Sequence, residues 1–350
     1  MYNLPLNAEL YGNEDLIKKI ELMICYSSNN SFLIGGPIGV GKANLVYKLS
    51  KFLLCHFENF SMIDLKNKKN IFFNDININR SSHLFDNNTH PDFFNLSLHT
   101  NSDDKKIPID NVRKLNVFFQ KTFSVSKVKI AVINTIDDLS VNSLNLLLKT
   151  IEELPTNAYI FLISHKPINT LKTITSRCAV LNMNPLNIKD FDIFIKQNIK
   201  NISKEESFFI KDISTASPGL ALSLYENKIL DLYIKLLDDL LLSKKYLNIR
   251  ETVLKLISSK NNEYNYYLFI LNLIINNLIK KSSFYLLEKK YLETTLNKEK
   301  ELINLITSKN NILKLLNIHS KFDKDMHSAS LLNVNKSDIV INMFKELCRV

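Results

Sequence analysis

The stretch Gly35–Leu45 reads GGPIGVGKANL, and its reading decides the fold. Gly36, Gly41 and Lys42 stand at the spacing of a phosphate loop, with Pro37 and Gly39 completing the turn. In such a loop a glycine-rich turn joins a strand to a helix, and backbone N–H groups at the helix start face an anion. The residue after the lysine is Ala43, where the signature has Ser or Thr. That missing hydroxyl is the one that ligates magnesium. The loop keeps a cradle for phosphate and lacks a ligand for the metal.

The flanks agree with this reading. Phe32, Leu33 and Ile34 form a short apolar strand before the loop. Leu45, Leu49, Phe52 and Leu53 recur at helical spacing after it, so one face of a helix opening near Lys42 is buried. Residues 57–89 are rich in Asn and Lys with weak periodicity and read as an irregular insertion. HPDFFNLSL (His90–Leu98) reads as a turn feeding a strand. Asp110 is placed to cap a helix that buries Val112, Leu115 and Phe119. Lys129–Ile133 and Tyr159–Ser164 are further buried strands. Between them Ser140 is expected to cap a helix over Val141–Leu154, with Leu144, Leu147, Leu148 and Ile151 on one face and Pro155 as the stop. Strands alternating with helices predict a parallel sheet covered on both faces.

After Pro185 the pattern changes. Residues 186–228 read as a small helical unit, with FDIFIKQNI and EESFFIKDI as amphipathic helices and Ser217-Pro218-Gly219 as a break. From Ile229 to Val350 the chain is helical in pattern and carries no chemical motif. Lys244–Lys245, Lys280–Lys281 and Lys289–Lys290 read as solvated faces. The expected division is therefore 1–185, an α/β domain; 186–228, a helical lid; and 229–350, a helical domain.

Composition narrows the function classes. At 350 residues the chain has room for two or three domains. The net charge of +10 admits contact with nucleic acid or another polyanion, and equally a lysine-rich solvated surface. Its four cysteines, Cys25, Cys55, Cys178 and Cys348, include no CxxC pair, so neither a disulfide framework nor a zinc site is expected. The N-terminus has no basic-then-apolar leader pattern, and no apolar run approaches the roughly 20 residues that span a bilayer. A cytoplasmic location without membrane contact is the expectation.

Two further segments bear on chemistry. In an active phosphate-loop ATPase the second sheet strand ends in two carboxylates, one for magnesium and one for the attacking water. Here the strand KIAVI runs into Asn134 and Thr135, and Asp137 and Asp138 follow too late to occupy the strand end. With Ala43, every metal-handling group is missing, and no metal site is expected. Nucleotide binding is a separate matter: the loop N–H groups and the Lys42 ammonium remain, and the sequence leaves open whether ATP or ADP binds weakly without hydrolysis or the glycines serve only packing. The second segment is Ser176-Arg177-Cys178, between a helix-like turn and an apolar strand. An Arg at such an edge can reach a neighbour's nucleotide, and the alternative is an ordinary surface ion pair.

Taken together, LYGNE (10–14), the loop and helix (35–55), HPDFF (90–94), VRKLNVFF (112–119), KIAVINTIDDLSVNSLNLLLKTIEELP (129–155) and LISHKPINTLKTITSRC (162–178) resemble the clamp-loader branch of the AAA+ superfamily, and within it the delta-prime family of bacterial DNA polymerase III subunits. The likeness covers roughly the first half of the chain. It implies a P-loop AAA+ α/β domain, a helical lid and an all-α collar that joins subunits. It also implies a stationary, non-hydrolysing subunit of the polymerase holoenzyme that helps to load the sliding clamp onto primed DNA in replication. Arg177 would then be an arginine finger acting in trans, with gamma/tau and delta subunits as partners and the beta clamp and DNA met through the assembled complex. The alternative is an active gamma/tau-like ATPase or a related DNA-dependent motor. Two family features are missing. Only Cys55 lies where some relatives carry a four-cysteine zinc module, and His56, His83, His90 and His99 are too irregularly spaced to replace it. Around SPGLAL (217–222) Leu220 stands where active relatives place a nucleotide-sensing Arg.

Overall fold

The computed structural model describes residues 9–26, 29–56, 79–97, 106–166, 172–241, 261–308 and 312–332, with 339, 342, 343 and 346. These fall into two compact units, one of residues 1–197 with 216–220, the other of 198–215 with 221–350.

The first unit is built on a five-stranded sheet of order β2-β3-β4-β1-β5 in which every pairing is parallel. Its strands are β1 (Ser31–Gly35), β2 (Phe93–Ser97), β3 (Lys129–Asn134), β4 (Ala158–Ile163) and β5 (Ala179–Asn182). β1, β4 and most of β3 are buried throughout, as continuous apolar runs in a doubly covered sheet require. The helices are α1 (Glu14–Tyr26), α2 (Lys42–His56), α3 (Arg80–Asp86), α4 (Ile109–Gln120) and α5 (Val141–Glu152). Alternate side chains of each strand feed opposite faces. Phe32, Ile34, Ile130, Val132, Phe161 and Ile163 pack with α1 and α2 on one face. Leu33, Ala131, Ile133, Ile160 and Leu162 pack with α4 and α5 on the other. This is the parallel, two-sided α/β fold that the sequence predicts.

Local differences have physical causes. Within the stretch read as an irregular insertion, residues 57–78 lie outside the described residues, but 80–86 form α3. Asn79 accepts from the Ser82 N–H and the Ser82 hydroxyl pairs back to the Asn79 N–H, a capping box built with Ser. Asp110 does not cap α4. The N-cap is Pro108, without a side-chain bond, and Asp110 pairs with Arg113 in the first turn. Ser140 does cap α5, accepting from the Ser143 N–H at 3.1 Å.

His90 and Asp92 staple the unit from inside. The fully buried Asp92 carboxylate accepts the N–H groups of Ser124, Val125 and Ser126 at 2.7–2.9 Å. His90 Nδ1 accepts the Asp92 N–H, so Nε2 carries the proton and faces Ser81 Oγ at 2.7 Å. Ser81 and Ser126 in turn donate to the Leu54 carbonyl at the end of α2. A buried Ser, His and Asp thus serve packing, because the carboxylate faces backbone N–H groups and not the imidazole.

The second unit is helical: α7 (Lys204–Ser214), α9 (Ile229–Leu241), α10 (Asn261–Glu288), α11 (Asn297–Ser308) and α12 (Ile312–Leu332). α6 (Ile188–Asn198) and α8 (Pro218–Glu226) start in the first unit and end in the second. Pro218 opens α8, so the expected break at 217–219 is a helix start. Lys281 overturns the solvated-face reading of its pair. Its ammonium is buried, 2.8 Å from Asp212 of α7 and 2.8 Å from Glu299 of α11. The Tyr233 hydroxyl donates to Glu299, and Asn277 and Thr294 donate to Asp212. Lys280, Lys289 and Lys290 are exposed, and Lys244–Lys245 lie outside the described residues.

Candidate functional site: a phosphate loop satisfied from within

The loop leaves the end of β1, as parallel topology requires of a site at the carboxyl edge of a sheet. Gly36, Gly39 and Gly41 have φ of +144°, +84° and +105°, which L side chains rarely adopt. Two of them are also pressed by neighbouring backbone. A Cβ on Gly36 would stand 2.2 Å from the Met183 carbonyl oxygen, and one on Gly39 would stand 2.7 Å from the Leu220 nitrogen. Packing alone therefore demands these two glycines. Gly41 is looser, since its Cβ would meet only Met183 Cε at 3.4 Å.

Lys42 opens α2 and is buried, 3 % exposed. Its ammonium donates to the carbonyls of Gly36 and Pro37, at 2.6 Å each. Burial lowers its pKa to about 8, and the negative charge of Asp137 opposes that shift. Ala43 lends its methyl group to the apolar cluster around α2, so the position that would hold a magnesium ligand is used for packing.

β3 ends at Asn134, in register with Ile163 of β4. The strand tip therefore presents Asn134 and Thr135, as the sequence requires, and Thr135 turns inward to donate to Asp138. Asp137 behaves otherwise. A single 3₁₀ turn, Ile136–Asp138, carries it back to the tip of β4. There its two oxygens accept the Ser164 hydroxyl at 2.9 Å and the His165 N–H at 2.6 Å. Ser164 N–H donates to the Ile34 carbonyl, one residue before the glycines. The spacing from the strand end concealed this placement. His165 is part of the same charge group: although the residue is exposed, loss of water around its ring, and then the nearby Lys42 ammonium, push it down to about 4.

The sequence reading also missed a strap. The Gly219 N–H donates to the Gly39 carbonyl at 2.8 Å, and the Leu186 N–H to the Ala216 carbonyl at 3.1 Å. The Gly219 N–H, in the first turn of α8, thus meets the loop's own backbone. A helix start beginning Ser-Pro-Gly was the available signal.

Arg177 sits between the one-turn helix Lys172–Thr175 and β5, away from the glycines in sequence and with its side chain 38 % exposed. Its Nε pairs with Glu152 at the end of α5, and Nη1 donates to the Thr173 carbonyl at 3.0 Å. The ion pair of the plainer reading is present, and the guanidinium stays open to solvent. Among the described residues no group of His, Cys, Asp or Glu is arranged to hold a metal, and no helix is long and apolar enough to cross a membrane.

A parallel sheet with a glycine loop and lysine after β1, the neighbour of its central strand β4, defines a phosphate-loop α/β domain, and the tip of β3 presents Asn134 and Thr135. Residues 15–187 match the family described as DNA polymerase III, delta subunit. It is 29 % identical over 159 residues to DNA polymerase III subunit delta' of Buchnera aphidicola subsp. Acyrthosiphon pisum, covering 45 % of this chain and 43 % of that one. It is 30 % identical over 150 residues to the delta' subunit of Pseudomonas aeruginosa, covering 43 % and 42 %. These matches span less than half the length of the two relatives. A crystal structure of a DNA polymerase III gamma subunit-related protein from Thermotoga maritima aligns over 96 % of this chain and 99 % of its own, at 17 % identity and a TM-score of 0.47.

Proposed function

We propose that the chain is a stationary, non-hydrolysing, delta-prime-like subunit of a clamp-loader complex. The observation that carries this reading is the pairing of Lys42 with its own loop carbonyls beside a strand tip of Asn134 and Thr135. A hydrolase needs that ammonium on phosphate and two carboxylates at the strand end. Here the lysine is satisfied internally, and Ala43 is packed against apolar neighbours. ATP or ADP is held weakly and without turnover.

In this reading the chain's chemical contribution is Arg177. Its guanidinium exchanges Glu152 for the phosphates of a neighbouring subunit's ATP and steadies the charge of the transferring group, an effect worth about 10³–10⁵ in rate for arginine fingers. The solvent-exposed ion pair supports this, because exposed pairs contribute only about 0–1 kcal/mol and are easily exchanged. The domains follow the division 1–185, 186–228 and 229–350, the last joining gamma/tau and delta subunits. The beta clamp and primed DNA are met by the assembled complex, and DNA contact is to phosphates and weakens with salt. No zinc or other metal is required.

Reconstitution tests the assignment. The chain is mixed with gamma/tau and delta subunits, and DNA-dependent ATP turnover and clamp loading are followed with wild-type and Arg177→Ala protein. The variant should enter the complex and slow turnover. Unchanged turnover with an intact complex refutes the finger, and failure of the wild-type chain to join any such complex refutes the assignment.

A further inference from the structure

Lys42 is buried, and its ammonium lies among carbonyl oxygens. An ammonium taken from water needs an anion or a dense set of dipoles nearby. Where acids ordinarily stand at the strand end, this chain has Asn134 and Thr135. Among the described residues around the loop, Asp137 is the carboxylate tied to this edge of the sheet. A continuous set of contacts links it to the lysine: Asp137 to Ser164 Oγ, Ser164 N–H to the Ile34 carbonyl, then two residues along β1 to the Gly36 carbonyl that holds the ammonium.

We propose that Asp137 supplies a fixed counter-charge to Lys42 at the phosphate loop and repels the phosphates of an incoming nucleotide. The proposal rests on the non-hydrolysing reading and gives its physical basis. Both carboxylate oxygens are engaged, with Ser164 and with His165, so the anion is fixed in place. Asp138, three residues from Thr135, is turned toward that hydroxyl. His165 stays neutral beside the ammonium and adds no positive charge. Removing the charge of Asp137 while keeping its shape should leave a loop with an unbalanced cation, and a nucleotide's phosphates are the anions that fit it.

The test compares the full chain with Asp137→Asn. Asn keeps both contacts, because its oxygen accepts the His165 N–H and its amide donates to Ser164 Oγ. Binding of ATP is measured by equilibrium dialysis in the absence and presence of magnesium, together with ATP turnover. The expected result is a gain of tenfold or more in ATP affinity for Asp137→Asn over wild type, with no turnover in either. Asp137→Glu, which retains the charge, should stay with wild type. Equal affinity of wild type and Asp137→Asn overturns the counter-charge and leaves the non-hydrolysing reading standing. Turnover by wild type overturns that reading itself. Should Asp137→Asn fail to fold, Asp137→Ser carries the same test: a tenfold gain in ATP affinity supports the counter-charge, and affinity equal to wild type overturns it.

Discussion

Gly36→Ala separates the two reasons a phosphate loop can have for its glycines. If Gly36 is there to let a phosphate approach, the substitution weakens ligand binding and leaves the free chain as stable as before. The structure requires the opposite. At φ +144° a Cβ enters a region that costs of order 1–3 kcal/mol for a non-glycine residue. That Cβ also stands 2.2 Å from the Met183 carbonyl oxygen, so backbone must move. The bond most exposed to that movement is Met183 N–H to the Gly35 carbonyl, 2.9 Å, worth about 0.5–1.5 kcal/mol. Against these stands a gain of about 0.4–1 kcal/mol from the stiffer unfolded chain. The net loss is about 2–3 kcal/mol, a large part of a typical stability of about 5–15 kcal/mol. Urea unfolding without nucleotide, followed by amide exchange in β1, measures it. With a slope of about 1–3 kcal/mol per molar, the midpoint should fall by roughly 1 M. Gly41→Ala is the internal comparison: it has a φ of +105° but only a 3.4 Å contact, so it should lose less. A Gly36→Ala chain that unfolds with the wild type would refute the packing argument.

Other outcomes follow from the same geometry. Lys281→Met leaves Glu299 and Asp212 buried without their cation, and should lower the stability of the helical unit by about 3–5 kcal/mol in thermal or urea melts. His90 is buried as a neutral acceptor, and burial depresses its pKa below 6.5, with the Asp92 charge opposing. The unfolded state therefore takes up the proton first, so this contribution to stability is present above pH 6.5 and is lost as pH falls. His90→Gln should flatten the stability-versus-pH curve in that window. Arg177→Ala should change the melting of the isolated chain by less than about 1 kcal/mol, because its ion pair is exposed; a larger loss would give Arg177 a structural role.

The strands, α2 and the Ser140 cap were legible because each is fixed by neighbours in sequence. Phe32–Ile34 and Ile130–Ile133 are apolar runs, and a Ser three residues before a free N–H is a local signal. The α3 cap was obscured by a stretch rich in Asn and Lys with weak periodicity, and Asp110 lost its capping role because Pro108 already occupies the N-cap. The candidate site was legible in part. Gly36, Gly39, Gly41, Lys42 and Ala43 could be read from spacing, but what holds them could not. Met183 and Leu220 reach the loop across the fold, and no periodicity reports a contact between residues so far apart in the chain. Asp137 was set aside by counting along an extended strand, whereas the 3₁₀ turn shortens the path. Lys281 was read with its exposed neighbour Lys280, although its partners lie on two other helices.

The most direct test is ATP turnover by the purified chain alone, with magnesium and primed DNA supplied. A lysine bound to its own loop and a strand tip without carboxylates predict phosphate release no faster than the buffer blank. Steady release that Lys42→Ala abolishes would contradict the account.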